Sequence, residues 1–400
     1  MNTAIYTLTS VLHDAAAIDS ATTMFLDKLG LSHECLLSEF ATYGSHALDL
    51  IYVRTGGTEG QFLELLPRLR AQSSKPVYLL TSGESNSLAA SLEILSYLRS
   101  EGLRGEVLHG LPEFVSRRIK LLTQAGQARM RLDGCRLGVI GRPSDWLIAS
   151  TAHRDIINKR LGIELVDIDM DELLQEVQAA ASSRIPEELV AKAYPAHVSE
   201  SLDMALRIHH ALERVVDQHN LSGFTLRCFD LLSAVHNTGC LALAKLNAQG
   251  IVAGCEGDVP ALLSMAISHA LLGVSGFQAN PSRINPDSGL ILLAHCTIPL
   301  DMVVRYELDT HFESGIGVGV RGFMNEGPVT LFKVAGDLSR HFAEEGMLIR
   351  NETYPTLCRT QQIIQLRNRE RTRYFLTEPI GNHHIVLPSH CKAALDEILN

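Results

Sequence analysis

Leu48-Asp49-Leu50-Ile51-Tyr52-Val53-Arg54-Thr55-Gly56-Gly57-Thr58 decides the fold. A short, mostly apolar run ends in a loop of glycines and hydroxyls, and a helical pattern follows over 59–69. A strand that feeds a helix through a short loop is the building unit of a parallel sheet. The unit recurs in both directions. Strand patterns at 4–8, 76–80, 105–108, 137–140 and 165–168 alternate with helical patterns at 20–29, 87–100, 113–124, 145–161 and 171–181. The rhythm predicts parallel sheets covered by helices on both faces.

A long amphipathic helix is expected over 200–219, then a strand at 225–228 and a helix at 241–247. After Asn280 the texture changes. Strand-like runs at 291–294, 303–308, 316–320, 329–334, 362–366 and 385–387 are separated by glycine turns, which predicts an antiparallel, β-rich end to the chain. No internal repeat or low-complexity tract interrupts this order.

Four hundred residues, 46% hydrophobic and 20% charged, describe a globular chain with room for two or three domains. The net charge of −10 and the lack of any basic run argue against nucleic acid or an anionic membrane as partner. No apolar run reaches the roughly 18 residues of a membrane span. The first residues carry no Lys or Arg ahead of an apolar core and read as a strand entering a helix rather than a signal peptide. Eight cysteines without a C-x-x-C pair predict neither a zinc ribbon nor a disulfide framework, and a reducing cytoplasm is the expected location.

In parallel sheets, ligands gather where strands end and helices begin. Three loops hold that place: the Thr55 loop, Thr81-Ser82-Gly83-Glu84-Ser85-Asn86, and Gly141-Arg142-Pro143-Ser144-Asp145-Trp146. Thr55, Ser82, Arg142 and Ser144 are candidates for contacting a polyol or phosphate, and Trp146 for a hydrophobic sugar platform. The simpler reading is that glycine turns the chain and Ser or Asp caps the helix. Trp146 can equally anchor a helix.

Gly254-Cys255-Glu256-Gly257-Asp258-Val259-Pro260 sets two carboxylates at the mouth of an apolar helix. Asp258, two residues before Pro260, suits a helix cap. Glu256 lies in an apolar stretch where a carboxylate needs a partner or a metal, which points to ligation or acid–base work. His295 ends an apolar strand. His383 and His384 are neighbours, so on a strand only one of them easily joins a given site. Glu plus His with open positions suits Mn²⁺, Zn²⁺ or Mg²⁺. The His209-His210 pair is expected to be solvated, and Cys255 and Cys296 are read as small core residues.

Four features carry a resemblance: Cys255-Glu256-Gly257-Asp258 opening a helix, the Leu292-Leu293-Ala294-His295-Cys296 strand, Cys358-Arg359-Thr360-Gln361, and Gly381-Asn382-His383-His384. The chain resembles the L-fucose/L-arabinose isomerase family. That resemblance implies two Rossmann-like parallel α/β domains, at 1–133 and 134–280, followed by a β-rich antiparallel domain at 281–400. It implies aldose–ketose interconversion through an ene-diol on a fucose- or arabinose-like or related polyhydroxylated sugar. Glu256 would be metal ligand and acid/base, His295 and His384 imidazole ligands, and Mn²⁺ the usual ion. It also implies a homo-oligomer, trimer or hexamer, with active sites shared between subunits.

One member of the family set is replaced. Its second carboxylate falls in Phe277-Gln278-Ala279-Asn280, which holds no acid. Asp258 is the nearest substitute for the catalytic role, and Asn280 and Arg283 are candidates for the substrate. The alternative is a non-isomerase on the same scaffold, a sugar-binding protein or a lyase or hydrolase.

Overall fold

The structure is a computed structural model and describes residues 3–13, 15–32, 34, 36–181 and 194–399. Cys35 lies outside them. The chain forms two compact units, Met1–Met130 and Arg131–Asn400.

The first unit holds a parallel sheet of β1 (Thr3–Leu8), β2 (Leu36–Leu37), β3 (Leu48–Val53), β4 (Val77–Leu80) and β5 (Gly105–Leu108), in the order β2-β1-β3-β4-β5. All six residues of β3 are buried because both its faces are covered. Ile51 and Val53 share one core with Phe62 and Leu66 of helix Glu59–Gln72 and Ile94 of helix Ser87–Ser100. Leu50 and Tyr52 face the other core, with Leu26 of helix Ala15–Leu29 and Val115 and Ile119 of helix Pro112–Leu132. This alternation is the pleat reporting two covered faces.

The second unit opens with a parallel sheet of β6 (Arg136–Ile140), β7 (Glu164–Ile168), β8 (Gly223–Leu226) and β9 (Val252–Cys255), in the order β7-β6-β8-β9. A closed antiparallel barrel follows. Its strands are β10 (Phe277–Asn285), β11 (Leu290–His295), β14 (Gly327–Val334), β15 (His341–Glu352), β16 (Thr360–Leu366) and β17 (His384–Leu387), in the order β10-β11-β16-β15-β14-β17. A separate ribbon joins β12 (Arg305–Asp309) to β13 (Gly319–Phe323). The chain is therefore α/β with a β-rich end, and the antiparallel part closes on itself. Helix Ala196–Gln218 serves both layers: Leu202, Ala205 and Leu206 enter the barrel core, while Ile208, Leu212 and Val215 enter the core of the second sheet.

Several boundaries shift, as in the helix expected at 113–124, which runs to Leu132, and two elements are displaced at their starts. The helix expected over 145–161 begins only at Arg154, with 145–153 irregular. Tertiary bonds win there: Ser144 N–H donates to Glu256 O at 2.9 Å, and His153 N–H to Gly336 O at 2.9 Å. The strand expected at 316–320 runs at Gly319–Phe323, where it pairs with β12.

No helix among the described residues is long and apolar enough to cross a membrane.

Candidate metal and proton-transfer site

β9 is an edge strand, and its last residue is Cys255. Glu256 and Gly257 then take left-handed backbone, φ 63° and 70°. For a glutamate this costs on the order of 1–3 kcal/mol, which surrounding contacts must offset. Gly257 is required for space as well, since a Cβ there would sit 2.5 Å from Arg142 O. Gly257 N–H donates to Leu226 O at 3.0 Å, and Ser144 N–H holds Glu256 O. The turn thus fixes Glu256 at the carboxyl end of the sheet.

Asp258 caps helix Val259–Leu272, its Oδ1 accepting from Ala261 N–H at 2.9 Å. His295 is the final residue of β11, and His383 directly precedes β17. Three elements therefore deliver three side chains to one place. The ligand-type atoms of Glu256, His295 and His383 all lie within 4.8 Å of one another, and all three residues are buried. Glu256 Oε1 stands 3.7 Å from His295 Nε2 and 3.6 Å from His383 Nε2. These gaps exceed a hydrogen bond.

The other atoms of each group are committed. Glu256 Oε2 accepts from Trp146 Nε1–H at 2.6 Å. His295 Nδ1 pairs with Thr297 Oγ1 at 3.0 Å. His383 Nδ1 bonds Asp258 Oδ2 at 2.8 Å. Among the described residues, His383 Nε2 is buried without a partner. An orphaned imidazole nitrogen aimed at a carboxylate and flanked by a second imidazole fits a divalent cation, with the carboxylate–histidine pair behind it supplying the outer support. Three donors leave positions for water and substrate.

The charges are set by burial and by partners. Burial pushes the Glu256 carboxyl up, but the facing His295 and His383 outweigh it and hold it well below the usual carboxylate range. Burial lowers His383, yet Asp258 and Glu256 raise it to about 9. Asp258 is also held low: burial opposes its ionisation, and Lys333 and His383 more than offset that. Lys333 Nζ sits 3.2 Å from Asp258 Oδ2, both fully buried. Burial, then the charge of His295, pushes His311 down to about 4; its ring meets Phe229, which meets Trp146.

His384 is not at this site. Register pairs it with Ala279, which belongs to the barrel core, so neighbouring side chains diverge as a pleat demands. Its Nε2 faces the Tyr374 hydroxyl at 3.0 Å and its Nδ1 the Asn382 carbonyl at 3.1 Å, leaving no nitrogen for a metal. Burial and then Lys333 push it down to about 3. It is His383, not His384, that lies beside Glu256 and His295.

Asp258 is likewise no free acid. Both its oxygens are occupied by Ala261, Lys333 and His383, and it is fully buried. Gln278 forms a two-point clasp on the edge strand: its Oε1 accepts from Cys255 N–H at 2.9 Å and its Nε2 donates to Cys255 O at 3.3 Å. Asn280 accepts from Asn382 Nδ2 at 3.0 Å. Arg283 stacks over Tyr354, and Arg142 extends into solvent beside Asp145. Ser144 is buried with its hydroxyl unpartnered among the described residues. Trp146 is 51% exposed. Thr55 and Ser82 belong to the first unit, where they hold turns: Thr55 Oγ1 accepts from Ser10 N–H, and Ser82 Oγ from Glu84 N–H.

Lys333 was absent from the sequence reading, although a lone lysine in the apolar strand Val329-Thr330-Leu331-Phe332-Lys333-Val334 is a signal that a buried acid awaits it. His311 carried no comparable signal.

The chain is 24% identical over 256 residues to a sulfoquinovose isomerase of Clostridium sp. (strain MSTE9), which covers 62% of this chain and 56% of that enzyme. It is 21% identical over 261 residues to the sulfoquinovose isomerase of Alkalicoccus urumqiensis, covering 62% and 59%. A sulfoquinovose isomerase of Priestia megaterium matches at 21% over 262 residues, again 62% and 59%. The chain spans less than two thirds of the length of these curated relatives. No family model matches it. The relatives are sugar isomerases by name, the coarse class that the resemblance implied.

Proposed function

We propose that this protein is a metal-dependent aldose–ketose isomerase acting on a polyhydroxylated sugar. The carrying observation is the convergence of Glu256 Oε1, His295 Nε2 and the orphaned His383 Nε2. Similarity to sulfoquinovose isomerases supports the reading and makes sulfoquinovose the first aldose to test, ahead of fucose and arabinose.

Glu256, His295 and His383 would hold the ion, Mn²⁺ being our choice. A divalent ion bound there lowers the pKa of a substrate hydroxyl and stabilises the oxyanion that develops beside it. Glu256 stays ionised before substrate arrives because imidazoles face it. Oε1 faces the two imidazoles, which leaves Oε2, the oxygen that also accepts from the indole N–H, for the substrate. Oε2 would take the proton from C2 and return it to C1 on the same face, while the hydroxyl proton passes from O2 to O1. One carboxylate suffices for that transfer, which removes the need for an acid at Gln278. Asp258 and Lys333 hold His383 in place. Homo-oligomers with shared sites and a cytoplasmic setting belong to the same proposal.

The test is exchange in D₂O. Metal-loaded protein incubated with each sugar is followed by NMR for ketose and for deuterium at the exchanged carbon. Turnover that vanishes in Glu256→Gln supports the reading. No exchange with sulfoquinovose or with any pentose, hexose or deoxyhexose contradicts it.

A further inference from the structure

Helix Ala196–Gln218 carries a second group of potential ligands. The expectation that His209 and His210 are both solvated holds only for His210; His209 is 2% exposed. Glu213 lies one turn beyond them, where helical spacing brings residues three and four apart together. Ligand atoms of His209, His210 and Glu213 all lie within 4.8 Å of one another.

The hydrogen bonds fix the tautomer of His209. The Gln249 amide nitrogen faces Glu213 Oε1 at 3.4 Å, so its Oε1 faces His209 Nε2, at 3.2 Å. An amide oxygen only accepts, so the ring carries its proton on Nε2 and a bare lone pair on Nδ1. That Nδ1 is buried without a hydrogen-bond partner among the described residues. It stands 3.5 Å from Glu213 Oε2, and His210 Nδ1 stands 3.0 Å from the same oxygen. A lone pair opposed to a carboxylate oxygen is repulsive until positive charge lies between them.

We infer that His209, His210 and Glu213 form a second divalent-metal site, suited to Zn²⁺ and distinct from the Glu256 centre. Two imidazole nitrogens and a carboxylate oxygen are a zinc donor set with one position left for water. Gln249 is the outer partner that fixes the ring. A cavity of about 430 Å³ lined by His210, Glu213, Arg214, Asp217 and Ile251 gives access. Arg214 does not compete there, because its Nε pairs with Glu176 at 2.5 Å.

The experiment counts zinc per chain in untagged protein, stripped with chelator and dialysed against buffered Zn²⁺. H210A/E213Q changes two partly exposed side chains, so the fold is retained. It should bind one zinc fewer than the unmodified chain. E256Q/H295A should keep that zinc, whatever happens at the Glu256 centre. Gln249→Ala should weaken this site about ten- to hundredfold. Equal zinc in H210A/E213Q and the unmodified chain, or none in E256Q/H295A, overturns the inference.

Discussion

His383 Nδ1 and Asp258 Oδ2 are joined at 2.8 Å in a fully buried pair, which turns the ring's other nitrogen toward Glu256. A carboxylate that grips one imidazole nitrogen orients the other and raises its basicity. Asp258 can do this because Lys333 shares its charge.

The adjacent histidines separate cleanly by substitution. His383→Asn should lose bound divalent metal and activity together. His384→Asn should keep the metal, since both nitrogens of His384 are spent inside the barrel. Its cost should appear as lower stability, about 1–3 kcal/mol for the stranded Tyr374 hydroxyl. Metal analysis and thermal unfolding of both variants check this.

Lys333→Met should destabilise the protein by about 1.5–3 kcal/mol, the worth of a hydrogen bond to a charged group, because Asp258 keeps Ala261 and His383 as partners. Asp258→Asn should weaken metal binding about ten- to hundredfold through loss of the outer carboxylate. Denaturant unfolding and metal titration give the two numbers separately.

Metal affinity should depend on pH through His383. Without metal, its pKa is raised to about 9, so the ring is protonated at neutral pH. A cation must displace that proton. Affinity should therefore rise about tenfold per pH unit as pH increases toward about 9, then level off, with one proton released from His383 per metal bound. Glu256 contributes none, being ionised throughout. Titration calorimetry in buffers of different ionisation heat counts the proton.

Trp146→Phe removes the N–H that bonds Glu256 Oε2 but keeps a smaller aromatic ring. A hydrogen bond to a charged group is worth about 1.5–3 kcal/mol, so kcat should fall roughly ten- to hundredfold. Metal content should not change, because Oε1 faces the imidazoles.

The sequence made the alternating half legible because a strand buried on both faces, such as Leu48–Val53, is apolar throughout. Glu256 and His295 were legible as polar groups ending apolar strands. β15 was missed: His341–Glu352 contains Glu344, Glu345 and Gly346 and shows no alternation, since its pairing with β14 and β16 carries it. The choice between His383 and His384 needed register, because two adjacent imidazoles look alike until a neighbouring strand fixes which one points inward. Gln278 looked like a lost ligand, but its amide is bound to the edge of β9.

Anomalous diffraction from Mn²⁺-loaded crystals tests the central claim most directly. A peak is expected about 2.1 Å from Glu256 Oε1, His295 Nε2 and His383 Nε2, a typical ligand distance. Fully loaded crystals with no peak among these three atoms would contradict it.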